Sequence, residues 1–314
     1  MSASPPPSSY PRLPSKLILT STKAYFSPSR TITYLASLLD PGNHILPLLQ
    51  RHRADVLFVL IPDFLTIYPC AQALSSSSSS STTGFNESPG PERQALDTAA
   101  SAAWPIALGA QNVYPSTTYG AYTGEIVVPG LQELGCSVVE LNHAERRRYL
   151  GEDDATAAKK AAAVCAAHMV PLVCIGELDR PDLRGPLSQS VGAAVAQLRP
   201  QIQSVLAAVP HDAPVIFAYE PVWAIGAAEP AGVEYVGPVV QAIRELARQV
   251  VPERTAEVKV VYGGSAGPGL WSGKTNGGNG LGKWVDGLFL GRFAHEISGV
   301  RGVVEEVVES LETR

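Results

Sequence analysis

Residues 217–226 read FAYEPVWAIG, and this stretch decides both the fold and the chemistry. The apolar residues 215–218 predict a short buried strand, which Pro221 ends because proline has no backbone N–H to donate. Glu220 therefore stands at the carboxyl end of a strand, in front of an apolar loop that Gly226 closes. A strand holds a base rigidly, and an apolar loop can exclude water from it. The pattern is typical of a carboxylate positioned as a base, but a solvated Glu that follows a buried strand by chance would give the same stretch, so the rest of the chain must decide.

Seven more short apolar runs surround this strand along the chain. They cover residues 17–20, 56–61, 106–111, 136–141, 170–175, 258–262 and 287–290. Helical patterns separate most of them, over 30–52, from a predicted cap at Thr123 to 134, and over 153–168, 186–209, 233–250 and 294–311. Such alternation indicates the α/β class with a parallel sheet. Eight units in about 290 residues predict a single closed (β/α)8 barrel.

Three stretches of biased composition interrupt this pattern. Residues 1–15 are rich in Ser and Pro and predict a disordered tail before a barrel domain over 16–314. Seven serines at 75–81 open a predicted flexible insertion after strand 2, at about 75–95. The segment 266–284, between strands 7 and 8, is rich in glycine. It either replaces the seventh helix or follows a very short one.

Composition narrows the class of protein further. A formal net charge of −5 gives no support for nucleic-acid binding, and no apolar run has the length of a membrane-spanning helix. The N-terminus lacks the apolar core of a signal peptide. Cys70, Cys136, Cys165 and Cys174 show no metal-binding spacing and predict reduced, buried thiols. We therefore expect a cytoplasmic protein without nucleic-acid or membrane partners.

Chemically active residues gather after the predicted strands. Lys23 follows strand 1, His143 follows strand 4 and Ser265 follows strand 7, as Glu220 follows strand 6. In a barrel, all of these strand ends meet on one face. The convergence indicates a single active site there.

With these residues in view, the chain resembles the triosephosphate isomerase family from about residue 16 to its C-terminus. The motif AYEPVWAIG matches the family's base and lid motif residue for residue. The motifs GAQNV, AYTGE, ELG, HAERR, LVCIGE, YGGS and DGLFLG follow in the family's order. The resemblance implies an isomerase with the family's TIM barrel, acting on a small sugar phosphate with neither a metal nor an organic cofactor.

The resemblance also implies a role for each matched residue. Glu220 is the base, His143 is a neutral electrophile, Lys23 supplies positive charge and Glu145 holds Lys23 in place. The implied substrate- and phosphate-binding residues are Ser21, Lys23, Gly226, Gly264, Ser265, Gly291 and Arg292.

Several positions depart from the family pattern. Ser21 replaces an Asn that helps to orient substrate, and Asn142 and Ala144 replace the Gly and Ser beside the catalytic His. Residues 227–229 read AAE where the family has TGK. Arg292 replaces the second glycine of the phosphate loop and either crowds a small phosphate or contacts it. The reacting side chains are kept while the binding residues change.

Three functions stay open from the sequence. The first is interconversion of glyceraldehyde 3-phosphate and dihydroxyacetone phosphate, as in glycolysis and gluconeogenesis. The second is isomerisation of a tetrulose phosphate such as erythrulose phosphate, which the Asn-to-Ser change at Ser21 favours. The third is a non-catalytic sugar-phosphate-binding paralogue with a modifiable Ser-rich loop. The loop 113–122 resembles the family's dimer loop and predicts a homodimer.

Overall fold

The structure is a computed structural model that describes residues 10–11, 13–78, 98–182, 184–225 and 231–312. Eight parallel strands close into one barrel in the order β1 to β8. They are β1 Lys16–Ser21, β2 Val56–Ile61, β3 Ala107–Ala110, β4 Cys136–Leu141, β5 Val170–Ile175, β6 Val215–Tyr219, β7 Val258–Tyr262 and β8 Gly287–Leu290. The predicted (β/α)8 barrel is confirmed.

Helices surround the barrel. In the described part of the chain they are α1 Pro28–Leu39, α2 Ile45–Arg51, α3 Ile67–Ser78, α4 Val128–Glu133, α5 Ala144–Leu150, α6 Asp154–Ala166, α7 Leu187–Ala208, α8 Val233–Val250 and α9 Ile297–Glu312. None of these helices is both long enough and apolar enough to cross a membrane.

The glycine-rich segment takes the place of the seventh helix. Between β7 and β8, a stretch that is described throughout, the helical structure is a single 3-10 turn at Leu281–Lys283. Glu306 of α9 holds the segment by accepting hydrogen bonds from the backbone N–H groups of Gly269 and Ser272. Trp271 is buried beside them. Specific contacts therefore order this connection without a helix.

The side chains of each strand alternate between two cores, as the pleat of a strand requires. On β4, Val139 and Leu141 pack outward against the helices, whereas Val138 points into the barrel. The inner core contains Leu17, Leu19, Val59, Ile61, Val138, Val170, Leu172, Cys174, Ile216, Ala218, Val261 and Phe289. Two positions nearer the carboxyl ends of their strands, Ser21 after Leu19 and Glu140 after Val138 continue the inward face towards the mouth of the barrel.

Two of the seams between neighbouring strands are short. Six registered pairs join β1 to β2, from Lys16 with Val56 to Ser21 with Ile61. Two pairs join β2 to β3 and two join β7 to β8. The connections that bridge these two seams are the ones with the Ser-rich and the Gly-rich segments.

Some local predictions are corrected by the structure. Thr123 does not cap a helix, because residues 126–128 pair with the preceding loop and α4 begins only at Val128. A proline inside the predicted helix 186–209, Pro200, favours a kink or a break, but α7 continues through it. Helix α3 extends to Ser78, so the predicted insertion begins later than residue 75.

The N-terminal prediction falls only partly on described residues. Residues 1–9 and 12 lie outside them, and a disordered tail there stays a prediction. Tyr10 and Leu13 are partly buried against the two cores. Two residues within the predicted tail therefore have packing contacts, and the boundary at residue 16 stays a prediction.

Candidate active site

Three strand ends bring the predicted reacting residues together. Lys23 follows β1 with a positive φ of 45°, a rare conformation for a lysine that aims its side chain across the barrel mouth. His143 follows β4 and occupies the N-cap position of α5. Glu220 follows β6, and its backbone N–H donates to the carbonyl of Ile175 on β5 at 2.9 Å. The backbone of the barrel thus fixes the origin of each side chain.

A line of contacts connects these side chains. Lys23 Nζ donates to Glu145 Oε1 at 2.9 Å, and Glu145 Oε2 contacts His143 Nδ1. On the other side of the imidazole ring, His143 Nε2 lies 3.7 Å from Glu220 Oε1. His143 and Glu220 are 5% and 4% exposed, so both sit in a site largely shielded from water.

The pKa values in this line are shifted by burial and by the neighbouring charges. Burial raises the pKa of Glu220 above its ordinary value, although His143 and Lys23 oppose the rise. Burial would also raise the pKa of Glu145, but His143 and Lys23 outweigh it and lower that pKa to about 2. Glu145 is therefore a fixed anion at neutral pH. Glu220 Oε1 has no hydrogen-bond partner among the described residues.

The geometry at His143 disagrees with a neutral ring whose Nδ1 accepts a hydrogen bond. Nδ1 lies 3.4 Å from the backbone N–H of Glu145, but its contact with the Glu145 carboxylate is much closer. The closer contact requires a proton on Nδ1. Burial lowers the pKa of His143, yet the carboxylates of Glu220 and Glu145 outweigh it and the net shift is upward. The ring therefore takes up its second proton at a higher pH than an ordinary histidine does, which is the direction of the shift in its pKa.

The changed residue Asn142 has a structural role. It adopts the left-handed conformation with a φ of 60°, which Asn tolerates better than most residues. Its side-chain amide donates to the carbonyl of Cys174 at 2.8 Å and accepts from Arg147 at 2.9 Å. These bonds tie the end of β4 to β5 next to the catalytic imidazole.

Glu177 forms a second anchor, below the base. One of its oxygens, Oε1, accepts from Tyr219 Oη at 3.2 Å, Trp223 Nε1 at 2.7 Å and Tyr235 Oη at 2.9 Å. These donors belong to β6, the 3-10 turn after it, and α8. Glu177 therefore fixes the start of the loop that follows Glu220. Gly226 and residues 227–230 of that loop lie outside the described residues.

The predicted phosphate-binding residues lie at the ends of β7 and β8. Gly264 packs on the Tyr262 ring, and a Cβ at this position would overlap the phenol group. Ser265 follows in the same turn, while Gly291 starts the short 3-10 helix that carries Arg292. The Arg292 side chain is exposed and forms no ion pair within the described residues. This side of the mouth is lined mainly by backbone.

The structure adds a residue that the sequence analysis missed, Glu140 of β4. Its side chain is 3% exposed. A carboxylate oxygen of Glu140, a ring nitrogen of His143 and Cys174 Sγ all lie within 4.8 Å of one another. The side chain of Ser21 also interacts with the Glu140 carboxyl group through a hydrogen bond. The available signal was a single acidic residue in a strand that is otherwise buried on both faces.

Glu140, His143 and Cys174 have donor atoms of types that bind metals, but the thiol is poorly suited. Burial, with the nearby carboxylates of Glu220 and Glu140, raises the pKa of Cys174 well above its ordinary value. A thiol must lose its proton to become a good ligand. The prediction that the site uses no metal or organic cofactor stays a prediction.

A cavity of about 750 Å³ opens beside the base. Its lining includes Glu145, Cys174, Glu220 and Ile225. This volume lies within the usual range for small-molecule sites of roughly 300–1,000 Å³. The cavity extends from the base towards α5 and α7, where Arg147 and Gln201 line it, and its lining includes neither His143 nor the residues at the ends of β7 and β8.

Fold and site together define a (β/α)8-barrel protein with a buried carboxylate, an imidazole and an ammonium group converging at the barrel mouth. A sequence profile described as "Triosephosphate isomerase" matches residues 86–307. The chain belongs to the triosephosphate isomerase family. The predicted family membership and the predicted isomerase class are thereby confirmed.

The curated relatives fall into two named groups. The chain is 40% identical to an L-erythrulose-1-phosphate isomerase of Pectobacterium atrosepticum, over 64% of this chain and 72% of the relative. It is 34% identical to a triosephosphate isomerase of Rhodopirellula baltica, over 64% of this chain and 75% of the relative. It is 36% identical to an L-erythrulose-1-phosphate isomerase of Rhizobium etli, over 66% of this chain and 73% of the relative.

Proposed function

We propose that this chain interconverts a hydroxyl and a carbonyl group on adjacent carbons of a small sugar phosphate through an enediol. The observation that supports the proposal is the line of contacts from Lys23 through Glu145 and His143 to Glu220. It places a base, a hydrogen-bond donor and a fixed cation around one small volume. These are the groups that an enediol mechanism requires.

In the proposed reaction, Glu220 takes the proton from the carbon that bears the hydroxyl group. The electron pair of that C–H bond forms the double bond of the enediolate, and the carbonyl oxygen takes the negative charge. Glu220 then returns the proton to the neighbouring carbon, while the hydroxyl proton moves between the two oxygens. Hydrogen atoms only change position, so the balance needs no co-reactant. Burial raises the pKa of Glu220 and makes it a stronger base.

His143 and Lys23 stabilise the charge that develops in this reaction. His143 Nε2 lies on the Glu220 side of the ring and is placed to donate a hydrogen bond to the substrate oxygens. Lys23, held by Glu145, supplies positive charge to the enediolate. Preorganised donors of this kind need little rearrangement when the charge forms.

The phosphate group is proposed to bind at the ends of β7 and β8. The backbone N–H groups of Gly264, Ser265 and Gly291 are proposed to donate hydrogen bonds to the phosphate oxygens, on the family resemblance. The unpaired Arg292 guanidinium adds a charged donor there. Gly226 is proposed as a further phosphate contact on the family resemblance alone.

Two substrates fit this proposal. The three-carbon pair glyceraldehyde 3-phosphate and dihydroxyacetone phosphate is the family's parent activity and would place the enzyme in glycolysis and gluconeogenesis. The alternative is a four-carbon ketose phosphate, L-erythrulose 1-phosphate. One observation favours it: Ser21 replaces the family's Asn. The relatives do not decide between the two substrates, because a protein of each name is 40% identical to this chain.

A non-catalytic paralogue is the alternative of another class. Loss of selection for catalysis would be expected to damage the reacting residues first. Here Lys23, His143 and Glu220 are all kept and are held in contact with their supporting residues. This retention argues against the alternative.

A steady-state assay tests the proposed function. Purified full-length protein is offered dihydroxyacetone phosphate and L-erythrulose 1-phosphate, beside the variants Glu220→Gln and His143→Ala. We expect each variant to lower kcat by about 10²–10⁴-fold, since each removes a proton-transfer or polarising group. Glu253→Gln, on an exposed carboxylate, is the matched control. If the wild-type protein turns over neither substrate, the proposed enzymatic function is ruled out.

The finer predictions on assembly and location also remain proposals. We propose a homodimer through the loop 113–122, in which Tyr114 and Tyr119 are 37% and 60% exposed. Light scattering that finds only monomers at micromolar concentration would contradict it. The four buried free thiols support a reducing compartment such as the cytoplasm.

A further inference from the structure

The proposed mechanism leaves one buried carboxylate of the site without a role. Glu140 points into the barrel from β4, on the same face as Val138, and its carboxylate lies near His143 and Cys174. It is 3% exposed, which is close to the 4% of the base Glu220. Burial therefore does not exclude Glu140 from contact with a substrate that reaches Glu220.

One oxygen of Glu140 lacks a partner. The Ser21 hydroxyl forms a hydrogen bond with the carboxyl group. The second oxygen, Oε2, is buried and has no hydrogen-bond partner among the residues that the structure describes. A buried polar atom without a partner lowers stability, so such atoms are rare in folded proteins. An oxygen that is unpaired in the free enzyme and lies beside the reacting groups is available to a ligand.

The position of Glu140 in the barrel indicates which part of a ligand reaches it. In a closed barrel of eight strands, β4 lies opposite β8. The proposed phosphate site is at the ends of β7 and β8, around Ser265 and Gly291. A sugar phosphate bound with its phosphate there directs its other end towards β4.

We infer that Glu140 binds the terminal hydroxyl group of a four-carbon ketose phosphate and so determines the length of the substrate. This inference rests on the proposed function and names the substrate class of the same site. A triose phosphate has two oxygens besides its phosphate ester, and both are on the reacting carbons that His143 and Lys23 serve. A four-carbon substrate has one more hydroxyl group, at the end away from the phosphate.

A hydroxyl group suits Glu140 in either protonation state. It donates to an ionised carboxylate and accepts from a protonated one. Burial raises the pKa of Glu140, which reduces the repulsion between this group and the enediolate. Ser21 fits the same role, because its side chain is shorter than the family's Asn and its hydroxyl group interacts with the Glu140 carboxyl group.

The test compares substrates that differ at the terminal group. Wild type, Glu140→Val and Glu140→Gln are assayed with dihydroxyacetone phosphate, L-erythrulose 1-phosphate and the four-carbon analogue in which a methyl group replaces the terminal CH2OH. We expect Glu140→Val to lower the ratio of kcat/KM for the four-carbon over the three-carbon substrate by about 10- to 100-fold, the effect of losing a hydrogen bond to a carboxyl group. Glu140→Gln, which keeps an acceptor and a donor, should lose less.

The methyl analogue distinguishes a hydrogen bond to the terminal hydroxyl group from a preference that depends only on the space in the site. Wild type should prefer the hydroxyl substrate over the methyl analogue by a similar factor, and Glu140→Val should lose that preference. Glu306→Gln is the control, since Glu306 is also a buried carboxylate but is anchored to the glycine-rich segment. If Glu306→Gln disturbs the phosphate-binding end of the site, it should change kcat/KM for both substrates by the same factor. Circular dichroism and thermal unfolding establish that each variant is folded.

The outcomes distinguish this inference from the proposed function. An unchanged ratio in folded Glu140→Val, or a wild type that does not distinguish the methyl analogue, overturns the role of Glu140. Turnover of the triose phosphate without turnover of the four-carbon substrate also overturns it, but leaves the proposed isomerase intact. No turnover of any substrate refutes the proposed function itself.

Discussion

The ends of β1, β4 and β6 carry charged side chains that are paired with one another, whereas the ends of β7 and β8 present mainly backbone. On the first side, Lys23, Glu145 and His143 are joined by direct contacts. On the second side, Gly264 and Gly291 have no side chain that would cover their backbone, and the Arg292 side chain is exposed. The first side depends on the identity of each side chain, and the second depends mostly on the course of the chain. Substitutions should therefore have large effects on catalysis from the first side and moderate effects on binding from the second.

The largest effect is expected from Lys23→Met, which removes the charge and nearly keeps the length of the side chain. We expect kcat/KM to fall by about 10²–10³-fold, since a preorganised charge opposite the enediolate is lost. Steady-state kinetics on the preferred substrate measure it. Lys274→Met, on an exposed pair with Glu309, should leave the rate unchanged. A loss of less than threefold for Lys23→Met would show that Lys23 does not serve the reaction.

Glu177→Ala tests the anchor beneath the base. It leaves three donors, on Tyr219, Trp223 and Tyr235, without their acceptor. We expect the free energy of unfolding to fall by about 1–3 kcal/mol, the cost of buried groups left unsatisfied. Urea denaturation measures it. Glu177→Gln keeps one acceptor oxygen and should cost less, and equal losses for the two variants would contradict the role of Glu177 as an acceptor.

On the second side of the mouth, Arg292→Gly restores the glycine pair of the family. We expect KM to rise about tenfold, equivalent to about 1.4 kcal/mol, with a smaller change in kcat. The reason is loss of a charge-assisted contact with the phosphate, so the effect should shrink at high salt. Arg184→Gly, in an exposed loop, is the control. A fall in KM would show that Arg292 crowds the phosphate.

The smallest effect concerns pH and Glu145. Its pKa in the folded protein is about 2, below its ordinary value of 4.5. A lowered pKa in the folded state stabilises the protein above pH 4.5, and the contribution is lost as pH falls from about 4.5 to about 2. Because Glu145 is half exposed, water screens the interaction and we expect about 1 kcal/mol or less. The difference in unfolding free energy between wild type and Glu145→Gln, measured at pH 6 and pH 3, should narrow at pH 3.

A second pH experiment addresses His143. Its raised pKa predicts that the imidazole takes up its second proton at a higher pH than an ordinary histidine. Nitrogen-15 NMR of the labelled protein, with His143→Gln to assign the resonance, reports this state directly. A ring that stays neutral down to pH 5 would restore the family expectation and would contradict the contact between Nδ1 and the Glu145 carboxylate.

Much of the fold and of the reacting set could be predicted from the sequence. The eight strands are short apolar runs with distinct ends, and Lys23, His143 and Glu220 each follow such an end. These signals are local, and the barrel brings them together by its topology alone. For these residues, the pattern along the chain is enough to predict the strand end at which each one lies.

The remainder depends on contacts that are distant in sequence. Glu140 has a role only because β1 brings Ser21 beside it, across more than a hundred residues. The start of α4 depends on pairing between residues 126–128 and the preceding loop, which overrides the capping preference of Thr123. The missing seventh helix is compensated by Glu306 from α9. None of these partners is visible within a short window of the chain.

The two short seams of the barrel, β2 with β3 and β7 with β8, divide it into two arcs. One arc contains β8, β1 and β2, and so joins the two ends of the chain. The other contains β3 to β7, which are consecutive in sequence and depend on local contacts to form. Local contacts form faster than distant ones, so the arc of β3 to β7 is the one to assemble early, and the terminal arc closes the barrel last. Amide protons along the two seams should then exchange with solvent through partial opening, before those of β4 to β6.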